Sequence, residues 1–348
     1  MTKIAFVIPG DIAQPTGGYG YDRRVLALLP RHGVDVRHLA LPGSYPNPSD
    51  DDLARTAELV RQTSADAVLL IDGLAYGAMP ASVIAGFGRR IVALVHHPLC
   101  LEAGLTAERE QELRTLETQA LAQASAVIAT SVPTVRILAQ MFGVPDSRLH
   151  VAEPGTDPAP RARGTTSPLM LLAVGSVVPR KGYDLLIAAL QPYRGRNWRL
   201  DVAGAQDHDP AHSAQIKQQV DAAGLSDHIR LLGALDASRL AGLYDHADVF
   251  VMPSRYEGYG MVMTEALARG LPIICTSGVA AADTVPSNAV LKVEAGNASA
   301  LSAAIGRMLD DGVFRKNLSD AAWTAARSLP TWDDTAKQIA DTLRRITA

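Results

Sequence analysis

The sequence predicts an α/β protein made of two doubly wound, Rossmann-like parallel-sheet domains, one in each half of the chain. Three observations predict it. Short runs rich in Val, Ile and Leu recur about every 25 to 30 residues. Segments with helical apolar spacing lie between them, and strands that alternate with amphipathic helices make parallel sheets with crossover connections. The stretch EPGTDPAPRARGTTSP (153–168), dense in Pro, Gly and Thr, has no apolar periodicity and divides the runs six and six, as an interdomain linker does.

In chain order, the first six runs are IAFVI (4–8), VDVRHLAL (34–41), AVLLI (67–71), RIVALV (90–95), AVIAT (126–130) and LHVA (149–152). The second six are LMLLAV (169–174), WRLDVA (198–203), HIRLL (228–232), DVFVM (248–252), PIICT (272–276) and AVLKV (289–293). The boundary falls in the linker, giving domains of 1–157 and 158–330. The final segment, TWDDTAKQIADTLRRITA (331–348), has Thr331 as an N-cap and puts Ile339, Leu343 and Ile346 on one helical face. Because it follows another helix, it is free to leave its own lobe and pack back on the first.

The chain has 348 residues, 47% of them apolar and 20% charged, with a net charge of −3. That length suits two domains with proper cores, and no apolar run approaches the 18 or so residues of a membrane span. Up to Asp157 there are 13 Lys and Arg against 17 Asp and Glu, and beyond it 20 against 19. Neither half offers the cationic stripe of a nucleic-acid binder or the polybasic face of a membrane-surface protein. Cys100 and Cys275 stand alone in apolar sequence, without the spacing of a zinc site or the density of a disulfide scaffold. The N-terminus reads as a first buried strand rather than a leader, so a reducing cytoplasm is the expected location.

The segment DVFVMPSRYEGYGMVMTEALARGLPII (248–274) reads as strand, loop, a helix from Met261 to about Arg269, a stop at Gly270 and a new strand. Glu257 precedes Gly258-Tyr259-Gly260, where the glycines let the backbone turn and present amides at a helix start, a setting that favours anions. Glu265 falls one to two turns on, within reach of the same cleft edge. Each Glu alone reads as a cap or a solvated face. Together, after the carboxyl end of a strand in an open α/β sheet, they point to a ligand site. In LLAVGSVVPRKGYDLLIAAL (171–190), Arg180 and Lys181 meet a second helix start, where fixed cations and backbone donors suit a diphosphate. Asp207-His208-Asp209 with His212 mimics a metal cluster but sits in a polar loop, and no metal site is expected there. SDDD (49–52) reads as a helix cap.

The stretch PSRYEGYGMVMTEALARGLPII closely resembles the E-x7-E signature of retaining GT-B glycosyltransferases, specifically family 4. The resemblance implies a GT-B fold, with two Rossmann-like domains facing a central cleft, and transfer of a hexose-type sugar from a nucleotide-sugar donor, most often a UDP-sugar. It implies that Glu265 holds the ribose hydroxyls, that Glu257 borders the transferred sugar, and that Gly258, Tyr259, Gly260, Met261 and Val262 bind sugar and diphosphate. It further implies phosphate binding by Arg180 and Lys181, although Ser176 follows the strand-end Gly175 where many relatives carry Arg. Gly18, in PTGGYGYDRR, resembles the family's Gly-rich loop on the acceptor side. LLGALD resembles its nucleobase segment, with Leu235 near the base. RIVALVHHPL ends in the position of a donor-contacting histidine. His96 is the choice, with His97 the alternative, since neighbours on a strand face opposite ways.

Retention by front-face attack then needs no protein nucleophile, no metal and no cofactor beyond the co-substrate. Glu257, Lys181 and His96 are the expected catalytic groups. The acceptor stays open. The acidic helix TAEREQELRTLETQALAQA (106–124) leans towards a soluble glycan or small molecule rather than a lipid. A nucleotide-sugar epimerase and a non-catalytic sugar-nucleotide-binding protein on the same scaffold are the alternatives.

Overall fold

Twelve strands form two six-stranded, wholly parallel sheets in the computed structural model, which describes residues 2–102, 104–165 and 167–347. The first sheet holds β1 (Thr2–Pro9), β2 (Val34–Leu41), β3 (Val68–Asp72), β4 (Ile91–Val95), β5 (Ala126–Ala129) and β6 (Leu149–Val151). The second holds β7 (Leu169–Val174), β8 (Trp198–Ala203), β9 (Ile229–Leu231), β10 (Val249–Met252), β11 (Ile273–Thr276) and β12 (Leu291–Val293). The central strands β3, β4, β7 and β10 are apolar apart from Asp72 at the end of β3, because helices cover both faces of a parallel sheet. Thus Leu69, Leu70 and Ile71 of β3 and Val249, Phe250 and Val251 of β10 are fully buried, and each such side chain contributes about 1.5–3 kcal/mol.

The chain divides into two compact units, Met1–Gly155 with Pro330–Ala348, and Thr156–Leu329. In the first unit the strand order is β2-β1-β3-β4-β5-β6, so the winding reverses between β1 and β3. In the second it is β12-β11-β10-β7-β8-β9, with the reversal between β7 and β10. At such a switch point the two following connections leave on opposite faces and open a crevice beyond the strands' carboxyl ends. Both sheets are doubly wound as the sequence predicts, but only the second has three strands on each side of the reversal.

The helix Trp332–Thr347 belongs to the first unit. Thr331 and Asp334 cap it reciprocally, and Thr335 Oγ1 donates to Glu153 O at 2.7 Å. Trp332 meets the edge of Tyr21 with ring centroids 5.7 Å apart. The SDDD segment forms a full capping box, Ser49 with Asp52, on the helix Asp50–Arg61.

Candidate active site

In the second unit, the loops after β7 and β10 meet at the switch point. Gly182 makes that possible. Its φ is +70°, and a Cβ there would lie 2.2 Å from the Pro253 carbonyl oxygen, so only glycine permits this approach. Arg255 N donates to Arg180 O at 2.8 Å, and the Arg255 guanidinium grips Asp184 through both carboxylate oxygens. The paired loops bring two cations and one acid together. Glu257 Oε1 lies 2.5 Å from Lys181 Nζ, 3.0 Å from Arg180 Nη1 and 3.0 Å from Ser254 Oγ. Burial, the strongest single influence on Glu257, would raise its pKa. The charges of Lys181 and Arg180 and the bonds from Lys181 and Ser254 outweigh it and hold the carboxyl at about 2.

Glu265 has different partners. It lies on the helix Met261–Leu267, and its Oε2 accepts from Tyr244 Oη at 2.9 Å. Burial raises its pKa, against the hydrogen bond from Tyr244 and the charge of Arg269. Arg269 stacks 4.5 Å over the Tyr244 ring and donates to Glu265 O. Glu257 is anchored by cations and Glu265 by a phenol, so the two acids face separate groups. The helix stops two residues before the expected Arg269, because Gly270, at φ +65°, bonds back to Leu267 O and Leu271 N to Ala266 O.

Between the two acids, Gly258 and Tyr259 are buried, and Gly260 takes φ +107° as a helix cap with no side-chain bond. Met261 and Val262 are half-buried. The helix is only seven residues long, so its dipole adds little to the site. Leu235 is half-buried in the loop beyond β9, which stands two strands from β7. Asp209 of the metal-like loop spends its carboxylate on capping the helix Pro210–Ala222 through His212 N at 2.9 Å.

In the first unit, the helix Gly17–Leu28 follows β1, and Asp72 ends β3. Asp72 pairs in register with Leu94 of β4, which sets His96 two residues beyond. His96 Nε2 lies 3.1 Å from Asp22 Oδ1 and 3.3 Å from Asp72 Oδ2. Gly18 lies over the imidazole, a Cβ there falling 3.5 Å from His96 Cδ2, and Tyr21 meets the ring edge at 5.0 Å. Positions 18, 21 and 22 form one helical face, so a single helix supplies three contacts to one histidine. His97 points elsewhere, with its Nε2 3.7 Å from Glu102.

Asp22 and Asp72 went unread in the sequence, though each carries a signal. Asp22 is an acid on the buried face of an amphipathic helix, beside Tyr21 and Val25, where an unpaired charge is costly. Asp72 follows the apolar run AVLLI at a strand's carboxyl end. Tyr244 carries no motif that marks it.

Two open, doubly wound parallel sheets, one in each unit, are the architecture of the GT-B fold. The family model for glycosyltransferase family 4 matches residues 7–160, and that for glycosyl transferases group 1 matches residues 160–324. The chain belongs to the family-4-type glycosyltransferases of GT-B fold. A D-inositol 3-phosphate glycosyltransferase of Xylanimonas cellulosilytica is 29% identical over 251 residues, 66% of this chain and 59% of that protein. The chain thus spans less than two thirds of that relative's length. Sucrose-phosphate synthase from Thermosynechococcus elongatus is similar in fold, with a TM-score of 0.84 and 22% identity over 99% of both chains. HepE from Anabaena, solved in complex with UDP and glucose, has a TM-score of 0.77 and 18% identity, covering 97% of this chain and 99% of that one.

Proposed function

We propose that this chain moves a hexose-type sugar from a nucleotide-sugar donor to an acceptor hydroxyl, with retention at the anomeric carbon. The observation that carries this reading is the convergence of Lys181 and Arg180 on Glu257 at the switch point of the second unit. A diphosphate brought there meets two cations held side by side on one carboxylate, a pairing suited to its charge.

Lys181 and Arg180 would bind the diphosphate and stabilise the charge that grows on it as the glycosidic bond breaks. Glu265, fixed by Tyr244, would accept from the ribose hydroxyls. Leu235 would pack near the base, and the 258–262 backbone would donate to sugar and phosphate. Glu257 would border the sugar while setting the Lys181 ammonium. In front-face attack, the departing phosphate takes the acceptor's proton, so the reaction uses no protein nucleophile, metal or further cofactor. His96 and Gly18 would border the transferred sugar.

UDP is the first nucleotide to test, since HepE was solved with UDP and glucose. The acceptor is assigned no further than a hydroxyl-bearing soluble glycan or small molecule. A thermal-shift panel of UDP-, GDP- and ADP-sugars tests the reading, followed by an assay for acceptor-dependent nucleotide release. A bound donor at 100 times its dissociation constant stabilises by about 2.7 kcal/mol. Donor isomerisation without an acceptor would establish the epimerase instead, and tight binding without turnover would establish a binding protein.

A further inference from the structure

The three side chains beyond β1, β3 and β4 form a closed electrostatic group. Donor or acceptor atoms of Asp22, Asp72 and His96 lie within 4.8 Å of one another. Asp22 is fully buried and Asp72 nearly so, while the His96 side chain keeps 22% of its surface exposed. Asp72 Oδ1 already accepts Leu74 N–H at 2.7 Å. Among the described residues Asp22 has no such backbone donor. Its Oδ1 faces His96, and its Oδ2 is buried with no hydrogen-bond partner among them. An ionised carboxylate so placed leaves a buried lone pair unmet, whereas a protonated one becomes a donor.

Two carboxylates this close cannot both remain charged beside a single cation without leaving a net buried charge. One proton shared between them, with an imidazolium opposite, brings the group to neutrality. The other titratable groups facing it cannot supply that proton. Tyr19 Oη donates to Pro9 O and Tyr21 Oη to Ala152 O, and Asp11, in the loop after β1, accepts from Ala13 N.

We propose that Asp22 is a positioning residue for His96: sharing a proton with Asp72, it clamps Nε2 and holds the ring as an imidazolium whose free edge only donates hydrogen bonds. His96 then serves neither as a base nor as a metal ligand. Its Nδ1–H can only donate, to an oxygen of a sugar hydroxyl or a phosphate. The titration directions agree with the geometry. Burial and then Asp72 raise the Asp22 pKa to about 7. Burial opposes charge on His96 most strongly, but the two aspartates together raise it to about 10.

The kinetic part of this proposal rests on His96 bordering the transferred sugar. The ring state does not, and it can be read in the free protein. The experiment is nitrogen-15 spectroscopy of the histidine rings from about pH 5 to 8, with the His96 signals assigned by their loss in His96→Gln. Both ring nitrogens of the wild type should carry protons at pH 7, and the double variant Asp22→Asn/Asp72→Asn, which removes the negative charge facing the ring, should return His96 to titration within about one unit of the ordinary histidine pKa. A neutral His96 in the wild type at pH 7 overturns the clamp, even if the double variant does not fold. So does a double-variant spectrum identical to wild type.

Adding Mn²⁺ distinguishes a proton from a cation. The His96 signals should survive one equivalent, and selective broadening that disappears in Asp22→Asn would overturn the proton reading. In the transfer assay Asp22→Ala should lower kcat about tenfold or more with donor KM changed less than threefold, a split expected of lost orientation, and Asp22→Asn, which keeps an oxygen facing Nε2, should recover most of the loss. A wild-type kcat in Asp22→Ala overturns the positioning role. Absence of donor binding by the wild type would instead remove the functional reading, and the ring spectrum would still decide the clamp.

Discussion

The two switch points carry inverse charge arrangements. In the first unit one histidine lies between two aspartates, and in the second one glutamate lies between two cations. Both groups sit beyond the carboxyl ends of parallel strands, and both are largely withdrawn from water. They differ in how charge is balanced. The acidic surplus of the first is met internally by one proton on Asp22. In the second, arginine does not deprotonate at neutral pH and Glu257 is already ionised, so an anionic ligand could join Lys181 and Arg180 without a proton being moved. That difference is why the diphosphate is proposed to sit in the second unit.

Truncating the second group should have the largest effect. Lys181→Ala removes the closest cation from Glu257 and from the leaving phosphate, and transfer should fall about 10²–10³-fold, the usual consequence of losing one such donor. Steady-state kinetics check this, and an unchanged kcat would dissolve the contrast between the units. Glu265→Ala should weaken nucleotide binding by about 1.5–3 kcal/mol, roughly 10- to 150-fold, as for a hydrogen bond to a charged group. Calorimetry would register it, with the nucleotide alone as ligand.

The pH dependence of stability should separate the two groups by sign. Glu257 has a folded pKa of about 2, below the ordinary 4.5. Its contribution is complete above about pH 4.5 and is lost as pH falls towards 2. Asp22 is raised from 3.8 to about 7, so the folded protein holds the extra proton in that window and loses stability as pH rises through it. Denaturant midpoints from pH 2.5 to 8 should therefore show an acid limb flattened by Glu257→Gln and a neutral-side decline flattened by Asp22→Asn. A variant that flattens the opposite limb would break the comparison.

Smaller effects test how the loops are held. Gly182→Ala forces a side chain into a left-handed position against Pro253 O and should cost about 1–3 kcal/mol of stability. Tyr244→Phe removes the hydroxyl that lies 2.9 Å from Glu265 Oε2 and 3.2 Å from Val262 O and should weaken nucleotide binding by about 1 kcal/mol.

The alternation of apolar runs and amphipathic helices made all twelve strands legible, because a strand buried on both faces must be apolar throughout. Glu257, Lys181 and Arg180 were legible as charges in loops after such strands. What was not legible was their mutual contact, which depends on Gly182 meeting Pro253 across 71 positions of sequence. Asp22 and Asp72 were missed for a related reason. Each looks like a helix-surface or capping acid until the register of β3 with β4 brings His96 between them. The choice of His96 over His97 rested on strand alternation, and the structure turns His96, not His97, towards the two aspartates.

The central claim is that the pair of cations on Glu257 seats a diphosphate. Calorimetric titration of wild type and Lys181→Ala with UDP and with uridine tests it directly. The account predicts that UDP binds wild type at least about 100-fold more tightly than uridine, a gap of roughly 2.7 kcal/mol, and that most of this gap disappears in Lys181→Ala while uridine binding is unchanged. Equal affinity for UDP and uridine in the wild type, or a gap that survives the loss of Lys181, would contradict it.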